Sequence, residues 1–355
     1  MKILYGIVGE GMGHATRSRV SLEHLLTAGH EIRVVVSGRA HQFLTDRFAG
    51  HSNILFHEIH GLHLDYEGNA VDKSASFWSN LEQAPKGVLK NIAVYREVAE
   101  DGFRPDVVIS DFESWAYLYG IAHNIPVLSI DNMQVLNRAK HDEDVLASAG
   151  LAFRLAKMAV KIKLPGAAHY IVASFFFPEV RKDRTTLVPP ILRPEILRAK
   201  RELGAHVIVY QTAASNEDLI PALQKLPYEF RLYGMGKDEQ RGNVALRAFS
   251  EQGFIDDLRT ARAVIAGGGF SLMGEAVHIG VPMFSVPLEQ QFEQGLNARY
   301  LRKLGYGDFA DTFDLEKMGA FLANSAQHEE ALRSYLRQGN EKLYATLDGL
   351  LAKLG

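Results

Sequence analysis

The sequence contains no cysteine and no long uncharged apolar run. Without cysteine, the chain can form no disulfide, no thiolate zinc site and no cysteine nucleophile. A membrane-spanning helix needs about 18 or more apolar residues in succession. The first ten residues, MKILYGIVGE, hold too short an apolar stretch for a secretory signal. We therefore expect a cytoplasmic protein.

A basic excess is also missing. The formal net charge is -3 at pH 7, with 39 Lys and Arg against 42 Asp and Glu. Nucleic-acid-binding domains normally carry a basic surplus or a basic face. The balance therefore argues against a nucleic-acid partner and favours small-molecule ligands.

The order of apolar runs indicates two similar domains. At about 150 residues per domain, 355 residues predict two of them. Strand-like and helix-like stretches alternate from the start, as KILYGIV, ATRSRVSLEHLLTAGH and EIRVVVS, and later as DVVISD and IPVLSIDN. A second series runs through AHVIVYQT, YEFRLYG, VALRAF, RAVIAGGG and VPMFSVP. Such alternation is typical of parallel, doubly wound sheets.

A proline-rich segment, TTLVPPILRPEILRAKREL, separates the two series, and its prolines cannot lie inside a sheet or a helix. The sequence thus predicts an α/β protein with two Rossmann-like domains that face each other across a cleft, where open sheets place their ligands. The predicted units are a first domain (1–186), a linker (187–202), a second domain (203–326) and a C-terminal helix (327–355) that packs back toward the first domain.

The stretch VGEGMGHATR places a glycine-rich turn where the first strand meets the first helix. Gly9, Gly11 and Gly13 allow a tight turn and a close approach by a ligand, and His14 follows at the mouth of the helix. A dinucleotide-binding turn would require a glycine at the position of His14 and an acidic residue after the second strand, so a nicotinamide site is disfavoured. A histidine that merely caps or packs the helix is the alternative.

The strand DVVISD ends in Asp111, at the edge of the sheet where the cleft is expected. A carboxylate beside an imidazole orients the ring, selects its tautomer and stabilises the imidazolium. His14 and Asp111 are therefore a candidate base and its orienting acid. The alternative is that Asp111 only caps the next helix.

The segment AVIAGGGFSLMGEAVHIGVP contains the densest glycine cluster. A strand leads into Gly267, Gly268 and Gly269, and a helix is predicted from about Phe270. Unpaired N–H groups and the positive end of the helix dipole favour a bound phosphate or diphosphate there. Glu275 follows one turn into the helix, within reach of a ribose. A plain tight turn is the alternative.

These motifs together resemble the two-domain GT-B glycosyltransferases, especially the family of the N-acetylglucosaminyltransferase of peptidoglycan precursor synthesis and its macrolide and plant relatives. The resemblance covers nearly the whole chain and is closer in the second half. It implies that the first domain binds the acceptor and the second a nucleotide-sugar donor. It assigns the implied contacts as follows: Gly11, Met12 and Gly13 to the acceptor-side loop, Phe254 and Ile255 to the base, Gly268, Gly269, Phe270 and Ser271 to the diphosphate, Glu275 to the ribose, and Glu293 and Gln294 to the donor sugar.

Two departures from the relatives affect the diphosphate site. Gly267 stands where relatives often carry His or Arg, and the turn after the first strand of the second domain reads QTAAS, in which Thr212 and Ser215 supply hydroxyls. The resemblance implies an inverting transfer from a nucleotide-diphosphate sugar, with UDP as the expected nucleotide, to an acceptor hydroxyl. It implies no cofactor and no metal ion. A nucleotide-sugar epimerase or hydrolase and a non-catalytic nucleotide-sugar-binding protein are the alternatives, because a fold alone does not settle the reaction.

The acceptor is either a small molecule or a lipid-linked compound. In LAFRLAKMAVKIKLP, Leu151, Leu155, Met158 and Ile162 share one predicted helical face, with Arg154, Lys157 and Lys161 on another. Such a helix either lies on an anionic membrane, giving peripheral contact, or packs its apolar face into the core, which is the commoner arrangement. SFFFPEV is predicted as a core strand, with an acceptor wall as the alternative, and the irregular segment HLDYEGNAVDKSASFW is a candidate acceptor lid.

Overall fold

Two seven-stranded sheets form the framework of the protein in the computed structural model. The structure describes residues 1–9, 11–61, 65–67, 70–147, 150–210, 219–289 and 291–355, and only the backbone at 65–67, 70–85 and 101. Helices connect the parallel strands of both sheets, which confirms the predicted fold of two parallel-sheet α/β domains.

The first sheet is parallel throughout, in the order β3-β2-β1-β6-β7-β8-β9. Its strands are nearly continuous apolar runs, as expected for a sheet covered on both faces. They are β1 (Lys2–Ile7), β2 (Glu31–Val36), β3 (Ile54–Glu58), β6 (Val107–Asp111), β7 (Val127–Asp131), β8 (His169–Ala173) and β9 (Thr185–Val188), and a separate hairpin is formed by β4 (Asp65–Glu67) and β5 (Ala70–Asp72).

The second sheet has the order β12-β13-β11-β10-β14-β15-β16 and is parallel except for its edge strand β12. The five predicted strands of the second series all lie in it. Its members are β10 (Val207–Tyr210), β11 (Phe230–Tyr233), β12 (Glu239–Arg241), β13 (Val244–Arg247), β14 (Ala263–Ala266), β15 (Met283–Ser285) and β16 (Gly307–Phe309).

Fifteen α-helices lie in the described ranges, and they connect the strands and cover the sheets. They are α1 (Met12–Thr27), α2 (Gly38–Arg47), α3 (Lys73–Val98), α4 (Ser114–Ala122), α5 (Val135–Arg138), α6 (Glu143–Leu146), α7 (Gly150–Lys163), α8 (Pro194–Arg198), α9 (Leu219–Leu223), α10 (Glu251–Thr260), α11 (Phe270–Ile279), α12 (Phe292–Lys303), α13 (Leu315–Ala323), α14 (Ser325–Leu332) and α15 (Glu341–Leu354).

The C-terminal helix α15 contacts β8 and β9 of the first sheet. Its Leu343, Leu347 and Leu351 are buried there. Tyr344 stacks on His24 of α1 at 4.1 Å between ring centroids. A helix that follows the second sheet in sequence therefore packs on the first, and the two domains share one continuous core cluster.

Two packing expectations were wrong. SFFFPEV is not a strand: β8 ends at Ala173, and the segment continues as turns and coil in which Phe175 and Phe176 are buried and Phe177 is exposed. The apolar face of α7 does not pack into the core either, because Leu151, Leu155, Met158 and Ile162 are 51–69% exposed. The helix instead packs through Phe153 and Val160. The predicted lid lies partly outside the described residues, and its described backbone forms β4, β5 and the start of α3.

Candidate active site

Each sheet has one topological switch point, a pair of adjacent strands from which successive strands are added in opposite directions. The pairs are β1 with β6 and β10 with β14, and ligands of open sheets bind beyond the carboxyl ends of such pairs. Ile7 is in register with Asp111, so the loop before α1 and the end of β6 meet at one edge. Tyr210 is in register with Ala266, which brings the Gly267–Gly269 turn to the corresponding edge of the second sheet.

His14 and Asp111 are in contact. The Nδ1 atom of His14 lies 2.8 Å from Oδ1 of Asp111, whose side chain is 1% exposed while that of His14 is 20% exposed. The next residue, Phe112, has a φ of 54°, a left-handed conformation that costs free energy outside glycine and that is common at functional sites. The structure therefore brings together the two side chains that the sequence offered as a candidate base and its orienting acid.

Arg17, one turn after His14, completes this cluster. Its Nε donates to Oδ2 of Asp111 at 2.8 Å, and its Nη2 donates to Oδ1 of the same carboxylate. Ser18 Oγ donates to Oδ2 at 2.8 Å. Burial alone would raise the pKa of Asp111, but the charges and hydrogen bonds of Arg17 and His14 hold that pKa well below its usual range. Asp111 is thus a permanent carboxylate.

The imidazole of His14 is neutral at neutral pH. Burial, and then the Arg17 charge, lower its pKa, and Asp111 opposes this shift. Arg17 Nη2 also lies 2.7 Å from Nδ1 of His14, so Nδ1 has a carboxylate acceptor on one side and a guanidinium donor on the other. When Nδ1 carries the proton and donates to Asp111, Nε2 keeps a free lone pair.

The diphosphate-site candidates lie at the N-terminus of α11. Gly269 is its N-cap residue, and no side chain from the described part of the sequence caps the helix. Gly268 is fixed by the second domain, since its N–H donates to Gln294 Oε1 at 3.0 Å and its carbonyl accepts from Asn297. Phe270 is buried, and its ring stacks near Phe175 of the first domain.

The N-termini of α1 and α11 face each other across the cleft. Ser271 Oγ donates to the carbonyl of Gly13 at 3.1 Å. The N-cap of α1 is Gly11, with a φ of 83°, and α1 also has no side-chain cap among the described residues. Met12 begins α1 and is partly buried against the core. Two helix ends that carry positive dipoles therefore meet at one place, next to His14, which is an arrangement suited to an anion.

Glu293, in the first turn of α12, connects the second domain with the first. Its Oε1 accepts from Asn132 Nδ2 and Asn297 Nδ2, both at 2.5 Å. Asn132 in turn accepts a hydrogen bond from Arg17 Nη1. The neighbouring Gln294 uses its amide within the protein, to Gly268, Leu288 and Gln291. One chain of hydrogen bonds thus runs from His14 and Asp111 to Glu293 in the second domain.

We expect Glu293→Gln to flatten the dependence of stability on pH. Burial raises the pKa of Glu293 to about 7, from 4.5, so the folded protein holds a proton that the unfolded chain releases above pH 4.5. The stabilisation of the folded state that this proton provides is complete below pH 4.5 and is lost as the pH rises to 7. It amounts to on the order of 3 kcal/mol. The free energy of unfolding, measured with urea from pH 4.5 to 8, should fall less steeply in Glu293→Gln.

Asp131, whose pKa burial raises to about 6, contributes a similar slope to both proteins. Only the difference between the wild type and Glu293→Gln therefore reports on Glu293. Parallel stability curves for the two proteins would show that Glu293 is ionised in the folded state across this range.

Glu275 is buried and paired with a residue of the predicted linker. Arg193 donates from Nε and Nη2 to the two carboxylate oxygens of Glu275, both at 2.8 Å, and from Nη1 to Glu251 at 2.8 Å. Arg19 of α1 reaches the same group of acids through Glu251 and Glu195. The residue predicted to bind ribose therefore also belongs to an ionic network that joins the linker with both domains.

The two residues predicted to contact the base are buried. The side chains of Phe254 and Ile255 are buried in the core, 5% and 2% exposed, so the structure does not present them as open contacts for a base. Thr212 and Ser215 lie outside the described residues. A group of three or more metal-ligating side chains is absent from the described ranges.

Arg17 and Asn132 were missed as site residues. Arg17 stands three positions after His14, the spacing that puts two side chains on one helical face, and this signal was available in GEGMGHATR. Asn132 directly follows the end of β7, the strand next to β6. It lies at the same carboxyl edge as Asp111, so the sheet order would have indicated it.

The fold and this cleft define a GT-B glycosyltransferase. Three solved glycosyltransferase structures share its fold over almost its whole length. They are Arabidopsis thaliana UGT89C1 complexed with UDP-L-rhamnose (TM-score 0.69, 16% identity, 99% of this chain and 98% of that one), the calicheamicin glycosyltransferase CalG4 (0.65, 18%, 99% and 98%) and the glycotransferase of kitacinnamycin (0.67, 17%, 98% and 98%).

The chain belongs to glycosyl transferase family 1, whose profile matches residues 1–325. It is similar to proteins described as uncharacterized glycosyltransferases from Methanosarcina mazei (27% identity over 340 residues, 86% of this chain and 85% of the relative) and Methanosarcina acetivorans (25% over 338 residues, 86% and 85%). The predicted class of enzyme is thereby confirmed.

Proposed function

We propose that this glycosyltransferase transfers a sugar, with inversion and without a metal ion, from a UDP-sugar to a hydroxyl group of an acceptor. The observation that carries the proposal is the position of His14, hydrogen-bonded to Asp111 and located beside two facing helix N-termini. A base and an anion site lie next to each other, as a direct displacement requires.

In the proposed reaction, the acceptor oxygen attacks the anomeric carbon of the donor sugar. The new carbon–oxygen bond forms as the bond from the anomeric carbon to the diphosphate oxygen breaks, and the nucleoside diphosphate leaves with the electron pair. His14 Nε2 takes the proton of the hydroxyl group, and Asp111 stabilises the imidazolium that results. Attack from the face opposite the leaving group inverts the anomeric centre.

The N–H groups at Gly269, Phe270 and Ser271 stabilise the charge on the departing diphosphate in this proposal. Backbone donors are already oriented in the folded protein, and so they act without reorganisation during the reaction. Glu275 is assigned to the ribose, and Glu293 and Gln294 to the sugar hydroxyls. The hydrogen bonds of Gln294 to the Gly268 N–H and of Asn297 to the Gly268 carbonyl hold the turn in place.

The reaction is tested by incubating the protein with UDP-, dTDP- and GDP-sugars, with and without EDTA, in the presence of small hydroxylated and lipid-linked acceptors. The expected result is acceptor-dependent release of UDP, unaffected by EDTA, with NMR showing a product of opposite anomeric configuration. Free sugar or an epimer formed without acceptor would instead identify a hydrolase or an epimerase. Donor binding without turnover, unchanged by substitution of His14, would identify a sensor.

Gly269→Asp is expected to separate donor binding from folding. Gly269 has φ -62° and ψ 125°, and a Cβ atom there would meet nothing within 4 Å. Aspartate is a preferred N-cap residue, so stability should stay the same or rise by about 0.5–1 kcal/mol. Its carboxylate accepts hydrogen bonds from the N–H groups at the start of α11 and competes with the diphosphate for them. Affinity for the nucleotide sugar should therefore fall by about 10- to 100-fold.

Calorimetric titration of the nucleotide sugar and thermal melting measure the two effects. The control is Gly349→Asp, the same change on α15 at another position whose added Cβ meets nothing within 4 Å. Unchanged donor affinity in Gly269→Asp would remove the tip of α11 from the binding site.

A further inference from the structure

Helix α7 presents a continuous apolar stripe to solvent. Leu151, Leu155, Met158 and Ile162 follow one another at intervals of four, three and four residues, which places them on one helical face. Their exposed fractions are 69%, 51%, 52% and 66%. Single exposed leucines are ordinary on protein surfaces, but a contiguous apolar patch marks an interaction site.

Basic side chains border this stripe. Arg154, Lys157 and Lys161 lie on α7, which has no Asp or Glu. Arg181 and Lys182 are bonded to α5, which packs against α7: the Arg181 N–H donates to the Arg138 carbonyl, and Lys182 Nζ donates to Asn137 Oδ1. Burial, and then the charge of Arg181, lower the pKa of Lys157.

Two acids lie on the same segment as Arg181 and Lys182. The side chain of Glu179 is paired with Lys140 at 3.9 Å, and Asp183 is exposed. The five cations named above therefore stand against two acids on α7 and this segment. Of the acids that precede α7, Asp142 and Asp144 are paired with Lys303 of α12.

The inner side of α7 is fixed to the cleft. Phe153 packs against Phe292 at the start of α12, with 5.6 Å between ring centroids, and Val160 is buried. At the other end of the helix, Lys163 Nζ lies 4.2 Å from the ring of Phe112, which adjoins Asp111. The exposed stripe is therefore the outer surface of a helix whose inner surface borders the candidate active site.

We propose that the α7 stripe and its basic border form a docking surface for an anionic lipid bilayer. An apolar face flanked by Lys and Arg, without acids on the helix, is the pattern of helices that lie in the membrane interface, and anionic lipids attract the cations. A symmetric dimer through this face would set the same cations against each other, so the charge favours a bilayer over a second copy. None of the described helices has the length and hydropathy to cross a membrane.

Docking through this face brings the cleft next to the bilayer and gives a lipid-linked acceptor a direct route to His14. That consequence rests on the proposed function, whereas binding to lipid does not. The experiment therefore measures binding first, with the full chain and without any substrate.

The test is co-sedimentation with phosphatidylcholine vesicles that contain or lack phosphatidylglycerol. We expect the partition coefficient to be on the order of 10-fold or more higher on the anionic vesicles and to fall with added salt. Leu155→Glu/Met158→Glu should abolish the binding, and Arg154→Gln/Lys161→Gln should remove the preference for phosphatidylglycerol. The control is Leu336→Glu. Leu336 is also an exposed leucine, at 72%, but it lies beside α11 and not on α7, because the next residue, Arg337, donates to the His278 carbonyl of α11.

Three results would overturn the proposal: no binding of the wild type to anionic vesicles, equal binding by Leu155→Glu/Met158→Glu, or a wild-type dimer in light scattering that this variant dissociates. Because the substituted side chains are exposed, the melting temperature and the turnover of a water-soluble acceptor should be unchanged in the variant. Loss of vesicle binding with retained turnover thus separates failure of the docking surface from failure of the proposed reaction.

Discussion

Replacing His14 with alanine should lower turnover by about 10²–10⁴-fold, the usual contribution of a general base, and should leave donor affinity nearly unchanged. The variant loses the lone pair that accepts the acceptor's proton. Its fold should persist, because Arg17 still bonds both oxygens of Asp111 after the imidazole is gone. Stopped assays of nucleoside diphosphate release and calorimetric titration of the donor measure the two quantities.

The same helix supplies a matched control. His24 also pairs with a carboxylate, with 2.7 Å between its Nε2 and Oδ1 of Asp348, but it packs beneath the C-terminal helix. His24→Ala should leave turnover almost unaffected. A His14→Ala variant that loses donor affinity as much as turnover, or that turns over normally, would exclude His14 as the base.

Replacing Glu275 with alanine should destabilise the protein by about 3–5 kcal/mol, because it removes the bidentate partner of the buried Arg193 and leaves that charge only partly compensated. Arg193 is 7% exposed; it would keep its hydrogen bond to Glu251, and Glu195 also lies within electrostatic reach of its charge. Urea denaturation measures this loss. The same variant should also bind the nucleotide sugar more weakly, if Glu275 contacts the ribose as proposed.

Stability and donor binding can be separated by removing Arg193 as well. Arg193→Met/Glu275→Ala also removes the partly compensated charge of Arg193, so much of the lost stability should return. The double-mutant cycle gives the coupling energy of the pair. Donor affinity should stay low in the double variant. Recovery of donor affinity together with stability would show that Glu275 acts only through the fold.

The sequence predicted the site best where two strand ends share one sheet edge. The alternation of strands and helices predicted that the loop after β1 and the end of β6 both lie at the cleft. The contact between His14 and Asp111 depends on the sheet order, which puts β1 beside β6. The N-terminus of α11 followed from Gly267–Gly269. Both predictions rest on local patterns that the sheet then brings together.

Such local patterns do not show which side chains bond to each other when they are far apart in the sequence. The bond between Arg193 and Glu275 joins residues 82 positions apart, and that between Asn132 and Glu293 joins residues 161 apart. Periodicity also failed to predict which face of α7 packs into the core, because apolar residues occupy two of its faces. Phe153 and Val160 point inward, whereas Leu155 and Met158 are exposed, and spacing alone does not tell which face meets the core.

The central claim is that the N-terminus of α11 binds the donor diphosphate while His14 faces the sugar from the first domain. A crystal structure with a bound UDP-sugar tests it most directly. We expect diphosphate oxygens within hydrogen-bonding distance of the N–H groups of Gly269, Phe270 and Ser271, with His14 Nε2 on the opposite side of the anomeric carbon. A diphosphate bound elsewhere, or an imidazole turned away from the sugar, would contradict it.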